Sequence, residues 1–153
     1  MTQPDDEGFE AFFAEAEPRL RRALVAAHGP ERGREAASEA LTYAWEHWTK
    51  VSDMENPIGY LYRVGQSRSR PRREPVIFPP PPADQQAWVE PGLPSALAGL
   101  SDRERLAVVL VTGFGWTHRE VAEVAGVSTS SVQSYLARGL GKLRTALGVT
   151  DGA

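Results

Sequence analysis

The stretch Leu100–Leu147, LSDRERLAVVLVTGFGWTHREVAEVAGVSTSSVQSYLARGLGKLRTAL, carries two hydroxyl-x-x-carboxylate boxes, each placed just before an apolar run: Ser101-x-x-Glu104 and Thr117-x-x-Glu120. Two side chains at that spacing satisfy free backbone N–H groups at a helix start, so each box predicts a helix N-terminus. Leu106, Val109, Leu110 and Gly113 share a face at helical spacing between the boxes, and Gly113 with Gly115 marks the stop. A short helix follows with Val121, Ala122 and Ala125 inward, then a turn at Gly126-Val127. A third helix opens at Ser128 and turns Val132, Leu136, Leu140, Leu143 and Leu147 inward.

A short helix, a tight turn containing glycine and a second helix make a helix-turn-helix. Ala122 is small where two helices cross closely, Gly126 can take the positive φ of a sharp turn, and Val127 and Val132 plug the angle between the helices. The alternative is an ordinary helical hairpin in a bundle. The outward face of the last helix argues against it. Ser128, Thr129, Ser130, Ser131, Gln133 and Ser134 are short or amide side chains that can meet base edges or phosphates, as can Thr117 at the preceding cap. Arg138, Lys142 and Arg144 on later turns suit phosphates. The segment reads as a DNA-binding lobe. Trp116, just before the Thr117 cap, reads as a hydrophobic staple.

The whole chain has 153 residues, 41% of them hydrophobic and 24% charged, which fits a folded protein of one ordinary domain or two small ones. It contains no cysteine, so it forms neither disulfides nor a thiolate metal site, as expected of a cytoplasmic protein. No apolar run reaches the length of a membrane span, and the N-terminus is the reverse of a signal peptide's basic start. Met1–Pro18 holds six acidic residues and no basic one. The net charge of −3 conceals a division: Tyr62–Pro75 carries Arg63, Arg68, Arg70, Arg72 and Arg73 against Glu74 alone. A local basic patch binds phosphate even on an acidic protein, because screening acts over about 8–10 Å. The low total nevertheless predicts weak unaided DNA affinity and a partner that helps.

Before the helix-turn-helix the pattern predicts three helices. The first, Asp6–His28, has Phe9, Phe12, Phe13, Ala16, Leu20, Leu24 and Ala27 as a core stripe, with Pro18 expected to kink or divide it. The second, Glu31–Lys50, turns Ala36, Ala37, Ala40, Leu41, Ala44, Trp45 and Trp48 inward, the tryptophans supplying most of the buried area. The third starts at Asn56-Pro57 and carries Ile58, Leu61 and Val64 inward, with Gly65 and Pro71 expected to shorten it. Of Tyr60 and Tyr62, neighbouring positions, one faces out, either packed or free to stack on a base. From Pro71 to Pro94 lie eight of the twelve prolines, an extended tether or a docking peptide rather than a helix. The fold class is therefore all-α: lobes at residues 6–70 and 95–148, joined by a proline-rich linker at 71–94.

The order of parts resembles that of a small bacterial sigma factor of the extracytoplasmic-function group, the dissociable promoter-specificity subunits of RNA polymerase. The resemblance rests on Leu100-Ser101-x-x-Glu104-Arg105, on Gly113-x-x-x-Thr117-x-x-Glu120-Val121-Ala122 and on Ser128-x-x-Ser131-Val132-x-Ser134-x-Leu136-x-Arg138-x-x-x-x-Leu143. In the N-terminal lobe it rests on Phe9–Leu20 with its mid-helix proline, Glu39-Ala40-Leu41 to Trp45, and Asn56–Val64. It implies a region 2-like N-terminal lobe gripping the polymerase β′ clamp through the second helix, with Glu35, Glu39, Tyr43 and Glu46 as contacts. It implies that Lys50–Glu55 and the following helix, with Arg63, Arg68 and Arg70, meet the minus-ten promoter element. A region 4-like C-terminal lobe would sit on the β flap and read minus-thirty-five DNA. An anti-sigma factor is a further possible partner.

His28, His47 and His118 are scattered and expected to face solvent, and Glu35 and Glu39 form a solvated or partner-facing edge, so no metal or cofactor is expected. No Gly-rich phosphate loop, nucleophile elbow or HExxH motif suggests an enzyme. Three readings stand: a sigma factor, a freestanding helix-turn-helix regulator, and a sigma-like module that binds polymerase or another protein without initiating transcription.

Overall fold

The structure is a computed structural model and describes residues 6–68, 77–78 and 91–149. Within 6–68 and within 91–149 the chain forms helices joined by short turns, with no strand among the described residues. The N-terminal lobe holds α1 (Asp6–His28), α2 (Pro30–Glu46), the single-turn α3 (Trp48–Ser52) and α4 (Pro57–Arg68). The C-terminal lobe holds α5 (Leu93–Ala98), α6 (Asp102–Ala107) continued by a π-helical turn (Val108–Gly113), α7 (His118–Ala125) and α8 (Thr129–Leu147).

Several expectations need correction. Pro18 does not divide α1, which runs unbroken for 23 residues. Proline removes the N–H that would bond the carbonyl of Ala14, and Ala14 is exposed, so water can take that bond. The second helix ends at Glu46 rather than Lys50, where His47 leaves helical geometry at φ −121°. Gly65 does not shorten α4, which continues to Arg68. A Cβ at Gly65 would lie 2.9 Å from Leu24 Cδ1 and 3.1 Å from the Ala36 carbonyl, so the glycine serves close helix packing. Pro94 lies inside α5, in the first turn, where a missing N–H costs nothing. Most of the proline-rich segment, and Arg70 just before it, lie outside the described residues.

The two tryptophans of the second stretch also part ways. Trp48 is half-buried against the core, whereas Trp45 is 51% exposed, and Phe13 opposite it is 42% exposed. The core of α1 and α2 is instead made of small residues and leucines: Ala16, Leu20, Ala23, Leu24 and Ala27 against Ala36, Ala37, Ala40, Leu41 and Ala44. Alanine allows the two helices to approach closely, so little aromatic bulk fits between them.

The lobes are packed against each other. One apolar core runs from Leu20, Leu24 and Leu61 through Leu106, Leu110, Val121 and Val132, and a smaller cluster of Leu100, Val108 and Leu143 lies under α5. Polar contacts line the seam. Asn56 Nδ2 donates to the Glu123 carbonyl at 2.6 Å, Arg19 lies 3.8 Å from Glu120 and 5.0 Å over the Trp116 ring, and Arg22 lies over Phe114. Arg105 reaches across to donate to the Ala27 carbonyl.

His28, expected to face solvent, is buried in this seam at 7% exposure. Its Nδ1 lies 3.5 Å from Asp102 Oδ2, and its Nε2 has no hydrogen-bond partner among the described residues. Burial pushes its pKa below the ordinary 6.5; Asp102 opposes that shift, and Arg32 and Arg105 add to it. The folded state therefore favours the neutral ring. Stability from this site is complete above the unfolded value near 6.5 and is lost as pH falls from there toward the lower folded value. Urea unfolding between pH 8 and 5.5 is expected to show that decline in the native chain and to lose it in His28→Gln. Identical profiles for the two proteins would contradict it.

Candidate nucleic-acid and partner surfaces

Both capping boxes form. Ser101 and Thr117 each accept the backbone N–H three residues on, from Glu104 at 3.2 Å and Glu120 at 3.1 Å, and each glutamate bonds back to the N-cap N–H. Glu104 is buried, which raises its pKa, but the Lys142 ammonium and the Ser101 groups outweigh burial and hold it below the usual range. Gly126 ends α7 with φ 69°, the left-handed conformation that glycine adopts without strain. Val127 then leads to Ser128, which caps α8 by accepting the Ser131 N–H at 3.1 Å. Val121, Ala122, Val124 and Val132 fill the angle between α7 and α8. These local devices fix the helix-turn-helix and set the direction of its last helix.

The first turns of α8 present Thr129, Ser130, Gln133 and Ser134 to solvent, with Arg138 on the same face further along. Ser128 is spent on its cap and on bonds to the Ser130 and Ser131 hydroxyls at 3.0 and 2.9 Å, and Ser131 is half-buried. Thr117 is exposed but likewise engaged as a cap. Lys142 is exposed, yet its ammonium lies 2.8 Å from buried Glu104 and ties α8 to α6. That ion pair competes with any phosphate, so Lys142 is poorer as a DNA contact than its position in the sequence suggests. Arg63 projects from α4 to the helix-turn-helix turn, where a Cβ on Gly126 would meet its Nη1 at 2.6 Å.

The N-terminal lobe carries two further surfaces. On one side of α2, Tyr43 bonds Tyr60 through the hydroxyls at 3.0 Å and stacks on His47 at 4.1 Å between ring centroids. Lys50 reaches the Tyr60 hydroxyl at 3.4 Å, and Arg68 lies over the Tyr43 ring at 5.6 Å. Tyr62 is the buried member of its pair at 3% exposure, its hydroxyl held protonated by burial, so Tyr60 is the outward one. The structure thus joins Tyr43, assigned from sequence to polymerase, with Arg68, assigned to DNA. The tyrosines are 17 residues apart, and no local pattern announced their meeting.

On the other side of α2, an open groove of about 590 Å³ runs between α1 and α2, lined by Phe9, Phe13, Leu41 and Trp45 with Arg21 and Arg34 at its edges. Glu35 and Glu46 are exposed along α2, and Glu39 is half-buried. Among the described residues no group of His, Asp and Glu is placed to hold a metal ion, and no helix is long and apolar enough to cross a membrane.

Comparison with known proteins matches residues 93–143 to a family model, sigma-70 region 4. Solved structures share the fold over nearly the whole chain. The sigma factor RpoE in its co-crystal structure with the anti-sigma factor NepR from Bartonella quintana superposes with a TM-score of 0.65 at 19% identity, covering 94% of this chain and 98% of that one. CnrH in complex with the cytosolic domain of CnrY gives 0.60 at 21%, covering 97% of this chain and 92% of that one. No curated protein sequence matches. The all-α architecture is thus the fold shared with these two structures, and its helix-turn-helix lies within the stretch that matches the sigma-70 region 4 model.

Proposed function

We propose that this sigma-fold chain, with its region 4 helix-turn-helix, is a promoter-specificity subunit that binds core RNA polymerase and directs initiation at particular promoters. The observation that carries the reading is the face of α8. A capped helix-turn-helix holds Thr129, Ser130, Gln133 and Ser134 exposed, with hydrogen-bonding groups of a length suited to base edges. That face would read the upstream, minus-thirty-five element. The Tyr43–Tyr60 cluster, with Lys50 and Arg68 around it, combines half-buried aromatic rings and exposed cations, the pairing on which single-stranded DNA stacks. It would meet the minus-ten element.

The groove between α1 and α2, flanked by Glu35 and Glu46, would take the β′ clamp, and the C-terminal lobe the β flap. Exposed Phe13 and Trp45 support a protein partner there, since aromatic side chains anchor interfaces. Two similar structures contain a bound partner protein, the anti-sigma factor NepR in one and the cytosolic domain of CnrY in the other; this supports an anti-sigma partner for the present chain as well. The modest charge of the C-terminal lobe fits a reader held in register by a larger platform. In this reading the protein acts by binding rather than by catalysis, in the cytoplasm. Reconstitution with core polymerase tests it, with co-elution and start-site specificity as readouts.

A further inference from the structure

Apart from Arg144 in the last turn of α8, the lysine and arginines of the C-terminal lobe divide into two groups. Lys142 is paired with Glu104 at 2.8 Å, Arg105 with Asp102 at 3.2 Å and Arg119 with Glu123 at 3.6 Å. Arg103 and Arg138 are exposed, and among the described residues neither has a carboxylate partner. Both are instead gathered on one ring. Arg103 Nη1 donates to the Tyr135 hydroxyl at 2.8 Å, with its guanidinium carbon 5.7 Å from the ring centroid. The Arg138 guanidinium carbon lies 5.3 Å from the same centroid. The ring itself is half-buried and packed against the core, so it is a fixed post rather than a mobile side chain.

We propose that Arg103 and Arg138, set by Tyr135, form a two-guanidinium clamp for the DNA backbone phosphates beside the recognition helix, with Tyr135 as the positioning residue. The inference rests on the reading of α8 as the DNA-facing helix. Arg138 follows Ser130 and Ser134 at four-residue steps along the exposed face, and Tyr135 stands three residues before Arg138, so the ring leans the guanidinium toward α6 and Arg103. Two cations fixed in advance on one ring bind phosphate with less loss of side-chain freedom than two free ones. Among the described residues no carboxylate competes for them, in contrast to Lys142.

The test is binding of the full-length protein to duplex DNA as a function of salt. Arg103→Ala and Arg138→Ala should each lower the slope of log affinity against log salt by about 1, without changing which sequence is preferred. Gln133→Ala should relax base preference and leave the slope alone. Tyr135→Phe keeps the ring and loses only the bond to Arg103, so it should weaken binding in the native background and have no further effect in Arg103→Ala. That non-additivity separates positioning from a merely structural role. Additive losses, or an unchanged slope in Arg103→Ala, would overturn the clamp. If Gln133→Ala still relaxes base preference, the DNA-reading helix survives that failure. Salt-independent binding by the native protein overturns both, as does the absence of any binding at low ionic strength, where even weak unaided affinity is measurable.

Discussion

Arg105→Met is expected to destabilise the protein by about 3–5 kcal/mol, the scale of stripping a buried hydrogen-bonded charge from its partners. The Arg105 side chain is 2% exposed. Its Nε donates to the Leu97 carbonyl at 2.9 Å, and its Nη2 to the carbonyls of Leu100 at 2.6 Å and Ala98 at 3.3 Å. Its Nη1 donates to Ala27 and to Asp102. Leu97 and Ala98 stand at the C-terminal end of α5 and Ala27 at that of α1, where helix carbonyls have no partner of their own. One guanidinium therefore closes two helix ends in different lobes, and a cation at a helix C-terminus also opposes the dipole. Methionine fills much of the volume but leaves those carbonyls unsatisfied, each at a cost of about 1–3 kcal/mol if water cannot reach them. Lysine should rescue little, because one ammonium cannot span the fork. Urea unfolding measures the loss; a change below about 1 kcal/mol would show that the hub is dispensable.

Gly33→Ala should cost about 3 kcal/mol or more, even though alanine favours a helix over glycine by about 1 kcal/mol. A Cβ on Gly33 would collide with the backbone N and Cα of Val25 and lie 2.7 Å from the Leu24 carbonyl carbon. These are main-chain atoms of α1 and cannot swing aside, so α1 and α2 would have to separate along their alanine-rich contact. Gly141→Ala is the internal comparison. It lies within α8 with nothing inside 4 Å of its Cβ, and should stabilise by about 0.5–1 kcal/mol. Thermal unfolding of the two variants should move in opposite directions. Equal midpoints would mean that the α1–α2 crossing is not set by this glycine.

The legible parts of the chain were the local ones. Ser101-x-x-Glu104, Thr117-x-x-Glu120, Ser128 and Gly126 each act within four residues, and each forms the cap or turn its spacing predicts. What spacing conceals is distance in sequence. Nothing in the local pattern marks Arg105 as buried, because one of its partners, Ala27, lies 78 residues away. Lys142 reads as a phosphate contact until Glu104 claims it from 38 residues away. The apolar stripe of α2 included Trp45, but periodicity reports only that a face is apolar and not whether this molecule or another covers it. His28 and the Tyr43–Tyr60 pair were invisible for the same reason, being properties of helices that meet, not of helices. Arg103 and Tyr135, 32 residues apart, carried no local signal of their pairing.

The packed seam bears on how the proposed function would operate. Asn56, at the start of α4, is bonded to the C-terminal end of α7, so the surfaces proposed for the minus-ten and minus-thirty-five elements form one body in this arrangement. Reading two separate promoter elements at once would require that seam to part, and the Arg19, Asn56 and Arg105 contacts are what would have to break.

The most direct measurement is reconstitution of the purified protein with core RNA polymerase, followed by mapping of transcript starts on genomic DNA. Co-elution with the core enzyme is expected, with a small set of defined starts sharing one upstream element, and those starts redistributed in Gln133→Ala. Co-elution without specific starts, or specific duplex binding by the protein alone with no association with polymerase, would contradict that expectation.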